Sequence, residues 1–383
     1  MAGIYVHVPF CKVKCHYCDF HFSVQLKNRA ALIGAICDEL NIRQSYIGDE
    51  SVGTIYFGGG TPSVVELELI QDLLETIYKN YNVEANCEIT LECNPDDLDQ
   101  LKLEGLKSLG VNRLSIGIQS FNDEVLEFMN RAHSAVEATS SVQLAKAAGF
   151  DNITIDLIYG VPGTDMEVWK SQLNQMFALG VPHLSAYCLT IEENTVFGNW
   201  QKTGKLKPYE DQESLKQFQY LMDAMKENGY EQYEISNFAK PGFISKHNSA
   251  YWLGTKYLGV GPSAHSFNGA NRSWNVANNP KYIQLVKRGE SFNEQEVLSV
   301  KDQFNEHILT RLRTKWGLDL ADLAEISDAM LTEAMPVLMQ HVAEGNLQKS
   351  GNTYTLTNQG KYIADGISVD LFSEDTHETI SEN

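Results

Sequence analysis

The stretch YVHVPFCKVKCHYCDF, residues 5–20, runs a short β-branched strand straight into three cysteines, Cys11, Cys15 and Cys18. Their spacing, C-x3-C-x2-C, suits three thiolates on an iron–sulfur cluster. A four-iron cube usually takes four Cys ligands, so three leave one iron open to a substrate or cofactor. The alternatives are a zinc site or a chance cluster. Zinc favours a fourth protein ligand and paired short knuckles, and no second CxxC occurs in the chain.

Outward from this strand, short β-branched runs alternate with amphipathic stretches. The strands are expected at Ile4 to Val8, Thr54 to Phe57, Glu88 to Glu92, Arg113 to Ile118, Asn152 to Ile158 and His183 to Leu189. Val64 to Tyr81, Ala135 to Gly149 and Met166 to Gly180 carry apolar residues at helical spacing. Strand–helix alternation repeated six times predicts a parallel sheet with helices outside, an α/β partial (β/α)6 barrel rather than the closed eight-fold one. In such folds ligands bind at the carboxyl ends of the strands. The residues there are the three cysteines, Gly58-Gly59-Gly60-Thr61-Pro62, Glu92 with Asn94, Gln119, Asp156 with Tyr159, Gly160 and Pro162, and Glu192.

The first domain is assigned to residues 1–200. Residues 201–299 form a connecting region of irregular stretches, among them HNSAYW (His247 to Trp252) and GVGPSAHSF (Gly259 to Phe267). Residues 300–372 read as helices through NEHILTRLRTKWGLDLADL and near Leu331 to Gly345, then two short strands and a last helix. That order suits an α+β, winged-helix-like domain. Residues 373–383 read as an acidic, disordered tail.

Bulk properties narrow the function. The chain has 383 residues and a formal net charge of −20, a poor start for binding a polyanion, so no nucleic-acid partner is expected. No apolar run is long enough to cross a bilayer and no signal segment opens the chain, which makes the cytoplasm the expected location. Seven cysteines without a disulfide-like framework suit a reducing compartment. Cys37, Cys87, Cys93 and Cys188 read as small buried hydrophobes.

Other residues carry alternatives. The glycines allow close backbone approach to a ligand or a tight strand–helix turn. Glu92 and Asp156 sit in otherwise apolar runs, so they face a polar ligand or a partner such as Arg113 or Arg131, or form an internal salt bridge. One carboxylate can accept from both hydroxyls of a ribose, which suits Asp156. His247 and Tyr251, four apart beside Trp252, could grip a flat macrocycle or pack as an aromatic corner with the His bonded locally, and residue chemistry favours the corner. His265 carries the same alternatives.

Taken together, YVHVPFCKVKCHYCDF, YFGGGTP, LECNPDDL, GVNRLSIGIQSF, NRAH, IDLIYGVPG, HNSAYW and GVGPSAHSF resemble the radical S-adenosylmethionine (SAM) proteins around oxygen-independent coproporphyrinogen III oxidase. Within that group the match is closest to HemW-type haem chaperones. The resemblance covers almost the whole chain, in motif order. It implies a [4Fe–4S] cluster on Cys11, Cys15 and Cys18, with SAM on the open iron. It places Tyr5 and Tyr17 beside the cluster and Gly59, Gly60 and Thr61 along the methionine part of SAM. Gln119, Arg131 and Asp156 would meet the carboxylate and ribose end, and Glu92 matches a residue assigned in the oxidase to a second SAM.

Three features separate chaperone from oxidase in this resemblance. The oxidase's fourth cysteine is Phe20 here, its N-terminal extension is lacking with only ten residues before Cys11, and HNxxYW is present as HNSAYW. The resemblance implies a protein that binds haem, with His247 as a contact, and passes it to an acceptor protein that is soluble or membrane-associated. It would act as a monomer or a homodimer. The rival expectation is coproporphyrinogen III dehydrogenase, a radical enzyme of porphyrin biosynthesis. A radical SAM enzyme acting on tRNA is a third, which the acidic charge opposes.

Overall fold

The computed structural model describes residues 1–373. The acidic segment assigned to 373–383 lies, beyond Ser373, outside the described residues. Two compact units divide the chain: Met1–Gln232 with Ser236–Ala250 and Thr255–Gln295, and Tyr233–Ile235 with Tyr251–Gly254 and everything described from Glu296 onward.

In the first unit, β1 (Ala2–Val8), α1 (Arg29–Ile42), β2 (Val52–Gly59), α2 (Leu67–Asn80), β3 (Val83–Cys93), α3 (Gln100–Ser108), β4 (Arg113–Gln119), α4 (Asp123–Phe128), α5 (Ala135–Ala147), β5 (Ile153–Tyr159), α6 (Met166–Leu179) and β6 (His183–Cys188) follow in order. The six strands lie side by side in sequence order and every pairing is parallel. This is the partial barrel expected from the alternation.

Period-2 geometry puts successive strand residues on opposite faces. One phase is apolar and buried throughout: Ile4 and Val6, Ile55 and Phe57, Ile89 and Leu91, Leu114 and Ile116, Ile153 and Ile155, Leu184 and Ala186. The opposite phase is polar in every strand: Tyr5 and His7, Thr54 and Tyr56, Glu88 and Glu92, Arg113 and Ser115, Thr154 and Asp156, His183 and Ser185. The apolar phase holds the helices and the polar phase lines the interior. Helix ends are set locally. Ser134 and Glu137 form a reciprocal capping box at the start of α5, and Gly180 ends α6 in the left-handed conformation.

Beyond the barrel come α7 (Val196–Lys202), α8 (Asp211–Glu227), β7 (Glu231–Glu234), β8 (Asn237–Ala239), α9 (Lys246–Trp252), β9 (Tyr257–Val260), β10 (His265–Phe267), β11 (Asn271–Asn275), α10 (Asn279–Arg288) and β12 (Asn293–Val297). β8 adds antiparallel to β6, and β9 adds parallel to β1. A fully buried carboxylate fastens this extension to α1. Glu39 accepts from Arg43 at 3.0 Å, Asn275 Nδ2 at 2.8 Å, Tyr282 Oη at 2.5 Å and the Gly261 N–H at 2.8 Å. Such a charge is tolerated in the interior because all its lone pairs are engaged.

The second unit holds α11 (Val300–Leu312), β13 (Leu318–Asp319), α12 (Leu320–Ala343), β14 (Leu347–Ser350), β15 (Thr353–Leu356), α13 (Asn358–Lys361) and α14 (Ala364–Asp370). Its antiparallel sheet has the order β13-β15-β14, over a core that includes Phe304, Ile308, Leu338, Tyr354 and Ile367. The helix expected to run on through GLDLADL is interrupted. Gly317 takes φ +72°, and a Cβ there would strike the Tyr354 carbonyl, so the chain enters β13 first. Among the described residues no helix is long and apolar enough to cross a membrane.

Candidate cofactor-binding site

The loop carrying the three cysteines leaves β1 and is tied down along its length. Lys12 pairs with Asp96 at 2.7 Å and with Asp97. Asn130, itself at φ +56°, donates to the Lys14 carbonyl at 2.7 Å. The His16 N–H donates to Met129 O, His16 Nδ1 lies 2.8 Å from Phe128 O, and the ring packs 4.8 Å from Trp200. Cys11, Cys15 and Cys18 are unbridged and partly buried.

The sulfurs have donors. Thr61 Oγ1 donates to Cys11 Sγ and Arg131 Nη1 to Cys15 Sγ, each at 3.5 Å. Burial pushes the Cys11 thiol up to about 11 against the opposing Thr61 bond, and burial does the same at Cys18. Burial thus favours the protonated form of Cys11 and Cys18, and a metal that binds them displaces that proton. Among the described residues no three His, Cys, Asp or Glu side chains are grouped to hold a metal ion. A cube takes each thiolate on a different iron, so its ligands stand wider apart than those of a single ion. Three unbridged thiols on an anchored loop, with hydrogen-bond donors at two sulfurs, fit that group.

The glycine run makes room for this loop. A Cβ on Gly60 would stand 2.7 Å from both the N and O of Phe10, the residue before Cys11. One on Gly59, at φ +108°, would enter the His7 ring, and one on Gly58 would meet Tyr56 and Glu92. The close approach expected of these glycines is therefore made to the cysteine loop and its neighbours. The Thr61 N–H donates to Phe10 O at 2.6 Å, which completes the seat.

Arg131 joins the loop to the strand ends. Its Nη1 lies 3.3 Å from Tyr17 Oη, and its Nη2 donates to Asn94 Oδ1 at 2.8 Å and Gly117 O at 2.6 Å. Its Nε is buried without a hydrogen-bond partner, a donor still open to a ligand. Gln119 follows a register shift in β4 and sits at φ +65°. That left-handed backbone is costly for a residue with a side chain, and bulges of this kind re-aim one. Gln119 Nε2 lies 3.0 Å from where a Gly117 Cβ would be. Cys15, Tyr17, Asn94, Gln119 and Arg131 thus share one end of the barrel.

Deeper in the interior, Tyr56 Oη donates to Glu92 at 2.8 Å and the Gly59 N–H donates to the same carboxylate at 3.1 Å. Burial lifts Glu92 to about 7, with repulsion from Asp156 adding to it. Burial likewise lifts Asp156 to about 6 against the Ser185 hydrogen bond and the charges of Arg113 and Arg131. Asp156 is near enough to act on Glu92, and two neighbouring carboxyls raised by burial make this a candidate functional site. Tyr5 stands in the same interior column as Tyr56. Its hydroxyl lies 3.1 Å from His7 Nδ1 and its ring stacks on Tyr56.

His247 lies at the other end. It is 3% exposed, its Nδ1 is 2.8 Å from Thr54 Oγ1, and its ring stacks on Tyr56 at 4.9 Å. Its backbone N–H donates to Glu88, as does that of Lys246. Gly3 and Thr54, its neighbours, open their strands, so it is remote from the cysteines. The structure thus places this ring in a packed corner, the arrangement that its residue chemistry favours. Tyr251 and Trp252 fall in the second unit, where Arg313 lies 5.2 Å over the Trp252 ring. His265 is exposed and packs on Trp274. Cys188, read as buried, is exposed, whereas Cys87 and Cys93 are buried.

Reading the sequence missed Tyr56, Thr54, Glu88 and His7. Their signal was the strict polar–apolar alternation within each strand, which marks a polar interior once the apolar phase is given to the helices.

Parallel strands carrying a three-cysteine loop, a glycine seat and buried carboxyls at one end define a radical SAM protein. The profile described as the Radical SAM superfamily matches residues 5–172. Heme chaperone HemW of Bacillus subtilis (strain 168) is 34% identical over 371 residues, 96% of this chain and 98% of its own. That of Lactococcus lactis subsp. lactis (strain IL1403) is 38% identical over 314 residues, 82% of each chain. The chain belongs to the HemW family of the radical SAM superfamily. Coproporphyrinogen III oxidase (HemN) from Escherichia coli, a radical SAM enzyme, matches with a TM-score of 0.83 at 24% identity, covering 97% of this chain and 90% of that one. At that identity the likeness is one of fold. Superfamily membership implies a [4Fe–4S] cluster and SAM.

Proposed function

We propose that the protein is a haem chaperone that holds one [4Fe–4S] cluster and SAM at the barrel mouth, binds haem and hands it to an acceptor protein in the cytoplasm or at a membrane surface. The observation that carries this reading is the match to Heme chaperone HemW along 96% of this chain and 98% of that one. It is supported by the arrangement of the mouth.

Cys11, Cys15 and Cys18 would take three irons and leave the fourth for SAM. The cluster and SAM together would supply reductive cleavage of a sulfonium. The chain's own groups position the cofactor. Arg131 has an open Nε for the SAM carboxylate, Gln119 is aimed by its bulge, and Asp156 can accept from ribose hydroxyls. Gly59, Gly60 and Thr61 would border the methionine part. Glu92 sits deeper, where Tyr56 and Gly59 hold it for a second polar group.

Anaerobic reconstitution followed by two assays tests the reading. Haem added to the cluster-loaded protein is expected to shift its Soret band, and an apo-haemoprotein is expected to regain its own spectrum on mixing. Conversion of coproporphyrinogen III to protoporphyrinogen with SAM and reductant would overturn the chaperone assignment in favour of the dehydrogenase.

A further inference from the structure

We propose that the cavity flanking the cysteine loop is the haem site and that His21 supplies the axial nitrogen. The inference rests on the haem-chaperone reading and names the place where the cargo sits. The cavity holds about 710 Å³ and lies between the chain just after Cys18 and residues Asn194, Ser263 and Ala277. That is within the roughly 300–1,000 Å³ of small-molecule sites.

Its lining suits a flat, apolar macrocycle with carboxylate arms. Phe20, Phe22 and Val24 are consecutive alternate residues in one wall. Phe20 is 67% and Val24 51% exposed. Single exposed apolar residues are ordinary, but a set gathered in one cavity marks a surface that something covers. The lining carries both charges: Lys14, a cation of the kind a propionate pairs with, and Asp19, whose carboxylate would turn a propionate towards Lys14.

His21 stands between the two phenylalanines in this wall. Its Nε2 lies 2.7 Å from Asn279 Oδ1, and in the tautomer that donates to this oxygen Nδ1 is the nitrogen left for a ligand. A hydrogen bond from the far nitrogen to a carbonyl is the arrangement that orients ligating imidazoles. The ring also stacks on His7 at 6.2 Å, and the His21 carbonyl is 3.1 Å from His7 Nε2. By contrast His247 is buried against Thr54 and Tyr56. Cys18 lines the same cavity, which puts the cargo beside the cysteine loop.

The test is a titration of the full-length, anaerobically reconstituted protein with ferric haem, followed at the Soret band. Wild type, His21→Ala, Phe20→Glu and Val24→Glu are compared, with iron content and circular dichroism as controls for folding. His21→Ala is expected to move the Soret maximum, with added imidazole restoring it, and each Glu variant is expected to weaken binding at least tenfold. Phe20 and Val24 are exposed, so these changes leave the fold intact. Unaltered spectra and affinities in all three variants, with wild type binding haem, would overturn the site and leave the chaperone reading standing. The site is overturned in the same way if a folded His247→Ala variant loses the Soret shift while His21→Ala keeps it. Failure of wild type to bind haem would overturn the chaperone reading itself and the site with it.

Discussion

Thr54 Oγ1 and His247 Nδ1 meet at 2.8 Å inside the barrel, 193 positions apart in the chain. The contact holds α9 over the strand starts, and it fixes a neutral imidazole in the interior. Burial, helped by the Arg113 charge, lowers His247 to about 3. The unfolded chain takes a proton here below about 6.5, whereas the folded one does so only near 3. Unfolding therefore takes up a proton across that window, and stability falls as pH drops from 6.5, by up to on the order of 4 kcal/mol. His7 and His133, each lowered to about 4 by burial, act in the same sense. Urea midpoints measured from pH 7.5 to 4 should fall along this slope, and His247→Asn should make it shallower. An unchanged slope in that variant would mean that His247 titrates normally in the fold.

Glu92 works against that slope. Its folded pKa of about 7 lies above the unfolded carboxyl value, so between about 4.5 and 7 the folded state holds a proton that the unfolded state has released. This contribution is complete below 4.5 and is lost as pH rises through 7. Glu92→Gln should steepen the acid loss by roughly 1 kcal/mol per pH unit within that window. Parallel denaturation series of wild type and variant check it, and identical series would place the proton elsewhere, for example on Asp156.

The cysteine loop is anchored by groups that do not touch the sulfurs: Lys12 on Asp96, Asn130 on Lys14 O and His16 on Phe128 O. Cys15→Ser should therefore abolish the brown absorbance of the reconstituted protein while leaving circular dichroism and the thermal midpoint of the apo form within a few degrees. Iron retained near four atoms per chain would refute Cys15 as a ligand.

How much of this was legible in the chain follows from what is local. The apolar phase of Ile4, Ile55, Leu91 and Ile155 is written at period 2, so the strands, their parallel pairing and the residues at their ends could be read. Long-range pairings could not. Glu39 finds Asn275 and Tyr282 more than 230 positions away, and no local pattern encodes such a pairing. His247 has the composition of a ligand, yet its surroundings are set by Thr54 and Glu88 on strands it does not follow in sequence. The backbone twists at Gln119 and Gly317 were hidden for another reason. One is a non-glycine residue in a conformation its type avoids, and the other is a glycine whose need shows only when Tyr354 packs beside it.

Gly60 offers the sharpest test of the seat under the cluster loop. Its N–H donates to Val8 O at 3.0 Å, and the next N–H, of Thr61, donates to Phe10 O. A methyl group on Gly60 would meet the backbone N and O of Phe10 at 2.7 Å, and backbone cannot turn aside as a flexible side chain can. Gly60→Ala should therefore push Phe10 and Cys11 off the strand end and lower stability by about 1–3 kcal/mol. Because Thr61 Oγ1 bonds Cys11 Sγ, the shift should also reduce the iron retained after reconstitution. Gly34→Ala is the control, since its Cβ would meet nothing within 4 Å and alanine favours the helix that holds it. Equal cluster loading and equal urea midpoints in the two variants would show that the glycine run is not what seats the loop.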